Sequence, residues 1–281
     1  MLNRLPSRFS WRFSPRLASH ISIACMAVLL TASLLPVSAS ADEGSGESTY
    51  SLSLNVGVAP RYAGSKQYAM TAGPGIRADF GNGWFIDPLQ GGAGYAMRFL
   101  NGMFASAALS YDAGRTDRNR YGRPGSDHLK GMGDIKGAFL GVFTLGGKVW
   151  GDTTASATFE VPLNHRERGW SGHLDLNAPV VQWGADTISV NPSLHFGSRK
   201  YMQTYFGVTP QQSANSGFAE YDAKGGANAA SLTVAWRHTF SRHWALQTAV
   251  GTTRLVGNAA KSPIVQNKQS YFGGTGIVYT F

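Results

Sequence analysis

The chain of 281 residues is 43% hydrophobic, 12% aromatic and 15% charged, with 35 glycines and a formal net charge of +9. Its single cysteine, Cys25, lies near the N-terminus. The rest of the chain therefore contains no residue that could form a disulfide bond, act as a thiolate nucleophile or bind a metal through a thiolate. The positive excess is too modest to indicate nucleic-acid binding by itself. Abundant glycine and aromatic residues, in a chain that alternates apolar and polar positions, favour an all-β protein.

The N-terminal segment has the three parts of a secretory signal peptide. Its first 20 residues carry four arginines and no acid, the apolar run 21–35 follows, and small residues up to Ala41 complete a cleavage site. The apolar run is shorter than the roughly 20 residues that a membrane-spanning helix needs, and no later segment reaches that length. We therefore expect a cleaved signal peptide over 1–41 and one domain over 42–281, with a net charge of +5.

Apolar and polar residues alternate with a period of two along most of the remaining chain, which predicts β-strands with two different faces. The pattern is clearest in 186–199, where Ile188 and Val190 share one parity and Ser189 has the other. We predict about twelve strands, with ten as the alternative. Their ranges are 50–60, 68–80, 83–88, 92–99, 103–113, 133–145, 148–161, 169–180, 186–199, 231–240, 243–255 and 270–281.

The connections between these strands alternate between short and long. The short ones are 81–83, 100–102, the Gly146–Gly147 pair, 181–185 and Ser241–Arg242, and the long ones are 61–67, 114–132, 162–168, 200–229 and 256–269, with 89–91 as an exception. This alternation predicts a transmembrane antiparallel up-and-down barrel with both termini in the periplasm. A soluble up-and-down barrel would show the same strand pattern, but not the same difference between its two ends.

Aromatic residues support the membrane interpretation. Trp84, Trp150, Trp183 and Trp244 all adjoin short turns, where a periplasmic aromatic girdle is expected. In the last predicted strand, the side chains expected to face lipid share one parity and are Tyr271, Ile277, Tyr279 and Phe281. We expect this strand to pair with 50–60 and so close the barrel, since a closed barrel leaves no unpaired edge. Tyr279 and the terminal Phe281 are predicted to act as a barrel-assembly signal.

The opposite parity would line the lumen and carries charges of both signs. The predicted lumen-lining charges are Arg77, Asp79, Arg98, Asp112, Lys136, Asp152, Glu160, Asp175, Arg199 and Arg237. Charges in a narrow interior are expected to pair, because an unpaired buried charge is costly. Two interpretations remain open: a cross-braced, mostly closed lumen, or a narrow polar pore for small solutes.

The sequence contains no G-x-S-x-G, H-E-x-x-H or P-loop motif. His173 and Asp175 share a strand face and are interpreted as lumen-lining polar residues, and the spacing of His165, His173 and His195 does not resemble a metal site. We therefore expect no catalytic residues, no metal and no cofactor.

The long connection 114–132 is rich in basic residues, which are Arg115, Arg118, Arg120, Arg123 and Lys130. These side chains could engage lipopolysaccharide phosphates at the outer leaflet of the outer membrane. A solvated, mobile loop is the alternative. Outer-membrane lipid and lipopolysaccharide are thus expected partners, whereas nucleic acid is not.

Four stretches carry a family resemblance: GWFIDPLQGGAGYAMRF at 83–99, SYDAGR at 110–115, YMQTYFGVTPQQSANSGFAEYDAKGG at 201–226 and RLVGNAAKSPIV at 254–265. Together they resemble the MltA-interacting protein family, also called the MipA/OmpV family, over nearly the whole chain after the signal segment. In the last stretch the family usually has acidic residues, where this chain has Asn258 and Lys261.

The resemblance implies an outer-membrane barrel. For the family's namesake it implies a scaffold that joins a murein lytic transglycosylase to a murein synthase, and for other members it implies osmotic, antibiotic or adhesion roles. Residues of the two loop motifs are candidates for a partner surface or for a plug that folds into the barrel. They are Tyr201, Tyr205, Phe206, Gly207, Tyr221, Arg254, Ser262 and Pro263.

Overall fold

A computed structural model describes residues 46–89, 91–99 and 102–281. The expected signal peptide, residues 1–41, lies outside the described residues, so its cleavage stays a prediction. In the described part of the chain, no helix combines the length and the apolar character needed to cross a membrane.

Twelve antiparallel strands form one closed barrel in which each strand pairs with its neighbours in sequence. This confirms the predicted fold class and the strand count. The strands are β1 Thr49–Pro60, β2 Tyr68–Asp79, β3 Trp84–Asp87, β4 Gly92–Arg98, β5 Met103–Asp112, β6 Ala138–Trp150, β7 Thr153–Pro162, β8 Ser171–Trp183, β9 Asp186–Gly197, β10 Gly226–Thr239, β11 Trp244–Leu255 and β12 Gln269–Thr280.

The first and last strands close the barrel, as the sequence predicted. Leu52 pairs with Tyr279 and Val58 with Gly273 in an antiparallel register that leaves most of β1 bonded on both sides. At the end of the chain, Phe281 donates its backbone N–H to Tyr50. The ring of Tyr279 packs edge-on against Trp244 and Phe281. The role of this stretch in barrel assembly stays a prediction.

The two faces of the wall differ as the period of two predicted. Leu54 is 64% exposed and Met70 is 73% exposed on the outer face, whereas Asp175, Asn191 and Thr233 are buried on the inner face. An apolar outer face with a polar interior is the arrangement that suits a lipid environment, since lipid offers no partner for polar groups.

One predicted turn is wrong. Gly146 and Gly147 do not form a turn but lie inside β6, which continues to Trp150. Gly146 pairs with Phe104, and a Cβ on Gly146 would lie 2.5 Å from the Phe104 ring, so this glycine makes room for an aromatic side chain on the next strand. The turn comes later, at 151–152, where Gly151 adopts a φ of 52° that favours glycine.

Short and long connections lie at opposite ends of the barrel, except that the short connection between β3 and β4 lies at the end with the long ones. At one end are the short turns 80–83, 151–152, 184–185 and 240–243 and the connection between β4 and β5, together with the two ends of the described chain. All four tryptophans predicted for a girdle adjoin these turns. Register shifts between Lys148 and Trp150 and between Pro179 and Val181 turn Trp150 and Trp183 to the outer face, where they are 85% and 82% exposed.

The longest connection, predicted as a loop over 200–229, contains two helices, α1 Arg199–Phe206 and α2 Pro210–Ser216. The hydroxyl of Ser198 accepts a hydrogen bond from the Tyr201 backbone and caps α1. Thr209 and Gln212 form a reciprocal capping box at the start of α2, with Pro210 in the first turn. Single turns of 3-10 helix at Asp127–Leu129, Arg166–Arg168 and Ala259–Lys261 lie in the other long connections.

Candidate functional site

Five long connections meet over one mouth of the barrel, and we call them together the cap. They are 61–67, 113–137, 163–170, 198–225 and 256–268. Hydrogen bonds tie one connection to the next: the Tyr62 hydroxyl donates to the Ile264 carbonyl at 2.8 Å, and the Gln212 amide donates to the Met132 carbonyl at 2.8 Å. The cap is therefore one folded unit and not a set of separate loops.

Two apolar clusters stabilise the cap from within. Met202 and Phe206 of α1 pack with Leu255 and Ala259 in the first cluster, and Met202 is fully buried. The second cluster contains Tyr62, Leu129, Met132, Val208 and Ile264, so it draws on four of the five connections. Tyr221 packs against both clusters. This is a water-excluding core of the soluble-protein type, placed on top of a barrel with an apolar exterior.

The residues predicted as a partner or plug loop lie in the cap or next to it, and most of them hold it together. The Ser262 hydroxyl donates to the Phe206 carbonyl at 2.5 Å, and the Tyr221 hydroxyl donates to the Asn258 carbonyl at 2.8 Å. Phe206, Gly207 and Ser262 are buried, and Tyr201, Tyr205, Tyr221 and Pro263 are half-buried. Arg254, at the end of β11, is exposed. The motif is thus largely internal to the cap.

An ion pair fastens the 163–170 connection to the barrel rim, and Tyr205 of α1 joins it. The buried Arg168 lies 2.9 Å from the Asp112 carboxylate at the end of β5, and it also donates to the Lys136 carbonyl and the Tyr205 hydroxyl. Burial lowers the pKa of Arg168, but Tyr205 and Asp112 together outweigh burial, so its pKa is raised. Burial also raises the pKa of the Tyr205 phenol, which therefore stays neutral and can both donate and accept.

The basic connection 114–132 is an ordered part of the cap, and its arginines do not all face outward. Arg115 is 5% exposed, donates to the Tyr205 carbonyl at 2.7 Å, and has a pKa lowered by burial. Arg123 donates to the Ala113 carbonyl at 3.0 Å. Arg118 and Arg120 remain exposed. The expectation that Arg115 contacts lipid phosphates is therefore wrong, because its guanidinium lies inside the cap.

Several predicted lumen-lining charges lie on the inner parity of the strands. Arg77 lies 3.6 Å from Asp87, and Asp175 accepts from Ser193 at 2.6 Å while contacting His173 at 2.5 Å. Glu160 accepts from Ser171 at 2.8 Å. Arg237 is half-buried in β10, and Asp112 belongs to the ion pair with Arg168. Most of these groups therefore have partners, as a cross-braced interior requires.

Five other members of that set lie nearer the ends of the barrel. Lys136 precedes β6, which begins later than predicted, and Arg199 opens α1, where it pairs with Asp222. Asp152 lies in a turn and contacts Lys148 at 3.4 Å. These three lie in connections and not in strands, so the strand parity from which their lumen-lining position was predicted does not apply to them. Asp79 and Arg98 lie at strand ends next to short turns.

Sequence patterns missed a group of buried amides on the inner face. Asn177 of β8, Asn191 of β9 and Gln247 of β11 carry side-chain atoms that have no hydrogen-bond partner among the described residues. Asn191 is 3% exposed, and both of its amide atoms are unpartnered. Asn177 and Asn191 lie next to each other on paired strands. The register shows this, because Asp175 pairs with Ser193 before them and Ala178 pairs with Val190 after them. Alternation alone marks them only as polar inward positions.

Histidine, serine and aspartate side chains meet in the lumen, but not in the order of a nucleophilic triad. Asp175 lies between His173 and Ser193, so the serine donates to the carboxylate and not to an imidazole. The Nε2 atom of His195 lies 3.1 Å from the Ser231 hydroxyl. Among the described residues, no carboxylate forms a hydrogen bond with the other nitrogen of His195, as a triad would require. Among the residues that the structure describes, no group of three or more histidine, cysteine, aspartate or glutamate side chains is placed to hold a metal ion.

The chain is similar in sequence to one protein family and to curated outer-membrane proteins. A family model described as MltA-interacting protein MipA matches residues 52–281. "Putative outer membrane protein YiaT" of Escherichia coli (strain K12) is 26% identical over 146 residues, which are 51% of this chain and 57% of that protein. The same protein from Escherichia coli O157:H7 matches with the same figures. The match thus spans little more than half the length of these curated relatives.

Solved structures similar to this chain include an outer membrane channel of Pseudomonas putida F1, with a TM-score of 0.43, 9% identity and coverage of 83% of this chain and 95% of that chain. OprB of Pseudomonas putida has a TM-score of 0.38, 9% identity and coverage of 75% and 49%. An anion-selective porin from Comamonas acidovorans has a TM-score of 0.35, 15% identity and coverage of 84% and 100%.

Proposed function

Because this chain belongs to the MltA-interacting protein MipA family of outer-membrane β-barrels, we propose that it works through protein interactions and not as an open pore. The observation that carries this proposal is the cap. Four of its five connections share a buried apolar core over one mouth of the barrel. A solute would have to displace this core to pass, and displacing buried apolar side chains costs several kcal/mol, on the order of the stability of a small domain.

The partners that the family resemblance implies for its namesake are a murein lytic transglycosylase and, with it, a murein synthase. These enzymes would meet the barrel end that faces the periplasm, which we propose to be the end with the short turns and the chain termini. Exposed aromatic side chains concentrate there: Trp150 is 85% exposed, Trp183 is 82% exposed and Phe240 is 59% exposed. Aromatic residues are favoured both in membrane girdles and at protein interfaces, so this end offers anchors for a partner.

Site-specific photocrosslinking in cells tests the proposal. A photoreactive residue is placed in a short turn, at Asp152 or Gly184, and in matched variants on the cap surface, at Asn119 or Lys224. We expect crosslinks to a murein-turnover enzyme from the short-turn positions and none to it from the cap. Absence of such crosslinks from both ends, with the variants folded in the outer membrane, would refute a murein scaffold. Crosslinks from the cap alone would reverse the proposed orientation.

A gated pore is the second candidate, and the unpartnered amides of Asn177, Asn191 and Gln247 favour it. Buried amides without partners cost about 1–3 kcal/mol each, so water or a polar solute in the lumen would stabilise them. Conductance in planar bilayers separates the candidates. The wild-type protein is compared with a variant in which 210–216 is replaced by a flexible glycine–serine linker of equal length. Steps in both recordings would support a pore, whereas silence in both supports the interaction protein.

A further inference from the structure

A cluster of unpaired cations lies where the first and last strands reach the cap. We call Lys66, Arg254 and Lys268 the seam rim. The Leu255 backbone N–H donates to the Lys268 carbonyl at 2.8 Å, which places Lys268 beside the end of β11. The Lys66 backbone donates to the Gln266 side chain at 3.3 Å, so the β1–β2 connection joins the same rim. All three side chains are exposed.

The seam rim differs from the other basic regions of the cap because it has no acidic neighbours in its own connections. The connections 61–67 and 256–268 contain no aspartate or glutamate. In the other long connections, several cations have carboxylate partners, as in Arg168 with Asp112, Arg199 with Asp222 and Arg120 with Asp134. Among the described residues, no ion pair involves Lys66, Arg254 or Lys268. The rim therefore presents three positive charges that the protein itself does not neutralise.

The wall below the rim has the layered composition of a membrane interface. Tyr68 is 41% exposed and Tyr271 is 62% exposed on the outer face, and the Tyr68 hydroxyl accepts a hydrogen bond from the Tyr271 backbone at 3.1 Å across the seam. Met70 and Val250 continue this face and are 73% and 56% exposed. Arg254 shares the outward parity of Val250. Tyrosine rings favour the headgroup level, and apolar side chains favour the acyl chains beneath it.

We propose that the seam rim binds a phosphorylated lipid headgroup of the leaflet that surrounds the cap end. The guanidinium of Arg254 can bind two phosphate oxygens at once, and the ammonium groups of Lys66 and Lys268 add two further positive charges along the rim. The lipid's acyl chains then lie along Tyr68, Tyr271 and the apolar wall below them. This site is separate from the basic connection 114–132, and it depends neither on a murein partner nor on an open lumen.

Binding of defined probes to the folded, detergent-solubilised protein tests the site. Native mass spectrometry counts bound lipid A, which is diphosphorylated, and its dephosphorylated form. Three variants, R254Q, K268Q and K66Q, are made singly and together. A matched control, K148Q with R242Q, removes exposed cations at the short-turn end. We expect each seam substitution to weaken lipid A binding about fivefold, the factor that corresponds to roughly 1 kcal/mol for one basic residue near a membrane surface.

The result expected is cumulative loss in the triple variant, no loss in the control and weak binding of the dephosphorylated lipid. Equal weakening in the control, or unchanged binding in the triple variant, would overturn the proposal. Competition by millimolar inorganic phosphate at the same rim would assign a free-anion site and also overturn the lipid assignment. Heat-modifiable migration on gels checks that every variant is a folded barrel, so that a lost signal reports binding and not misfolding.

Discussion

The cap and the barrel wall bury opposite kinds of side chain. In the cap, Leu129, Met202 and Ile264 are fully buried, whereas in the wall Leu54 is 64% exposed and the carboxylate of Asp175 points inward. One chain thus contains a unit with an apolar interior joined directly to a unit with an apolar exterior. The difference follows from the surroundings, because water drives apolar groups together, whereas lipid only requires that polar groups find partners inside.

This comparison separates the stability of the two units. The cap depends on packing density, so a lost methyl group leaves a cavity, whereas lipid chains can fill a gap on the outer wall. Conversely, a charge is tolerated on the surface of the cap but not on the wall. Each unit should therefore respond to substitutions that leave the other almost unchanged, and the following predictions test that independence.

The largest expected effect is a cavity in the cap. Phe206 is 4% exposed and packs in the first apolar cluster. We expect Phe206→Ala to destabilise the cap by about 3–5 kcal/mol, the usual cost of truncating a buried phenylalanine. Hydrogen exchange of backbone amides in 198–225 measures this loss, while heat-modifiable gel migration reports the barrel and should not change. Phe240→Ala, at an aromatic residue that is 59% exposed at the short-turn end, is the control and should leave the exchange of the cap unchanged.

A charge on the outer wall should have the next largest effect. Leu54 lies at the middle of β1, and Leu54→Arg should cost about 2–4 kcal/mol, as expected for arginine near the bilayer midplane. The denaturant midpoint for barrel unfolding in lipid vesicles is the measurement. Leu54→Phe, which keeps the surface apolar, should change it little. An equal loss in both variants would mean that this face packs against protein and not lipid.

The sequence predicted the wall much better than the cap. Alternation revealed twelve strands and the pairing of 50–60 with the last strand, because each wall residue has only two orientations. The Gly146–Gly147 pair misled the prediction, since glycine also makes room for a neighbouring ring. The cap shows no such period. Its core joins Tyr62 to Ile264, about two hundred positions apart, and a contact of that kind leaves no local pattern.

Local signals nevertheless existed for part of the cap. Thr209, Pro210 and Gln212 form a recognisable helix start that could have predicted α2. The burial of Arg115 had no such signal, because an arginine in a polar stretch looks like a surface residue until its neighbours are known. Likewise, the unpartnered amide of Asn191 depends on what lies across the lumen. The candidate site therefore came from tertiary contacts and not from composition.

Raising the pH should destabilise the cap less than Phe206→Ala does, and the loss of stability should appear only at alkaline pH. Burial raises the pKa of Tyr62 to about 12, and the charge of Arg115 opposes that rise. Since the folded-state pKa exceeds the ordinary value near 10, the unfolded cap loses its phenolic proton first. Cap stability should therefore be constant below about pH 10 and should fall between about pH 10 and 12. Near-ultraviolet circular dichroism during thermal unfolding measures this dependence.

Tyr62→Phe provides the matched variant for the alkaline response. Losing the hydrogen bond to the Ile264 carbonyl should cost about 1 kcal/mol at neutral pH. The same variant should show a shallower fall in stability above pH 10, with a residual slope from other buried phenols such as Tyr205, whose pKa burial also raises. An unchanged slope would show that Tyr62 reaches water in the folded cap.

The smallest effect should come from an ion pair on the cap surface. Arg199 and Asp222 lie 2.9 Å apart, but their side chains are 71% and 60% exposed. Asp222→Asn should cost less than about 1 kcal/mol, because exposed pairs gain little over hydration and are screened by salt. Asp112→Asn makes the same chemical change beside the buried Arg168 and should cost about 3–5 kcal/mol. If hydrogen exchange in the outer membrane showed equal costs for the two variants, the outer surface of the cap would be covered by a partner, and the interaction surface would lie on the cap and not at the short turns.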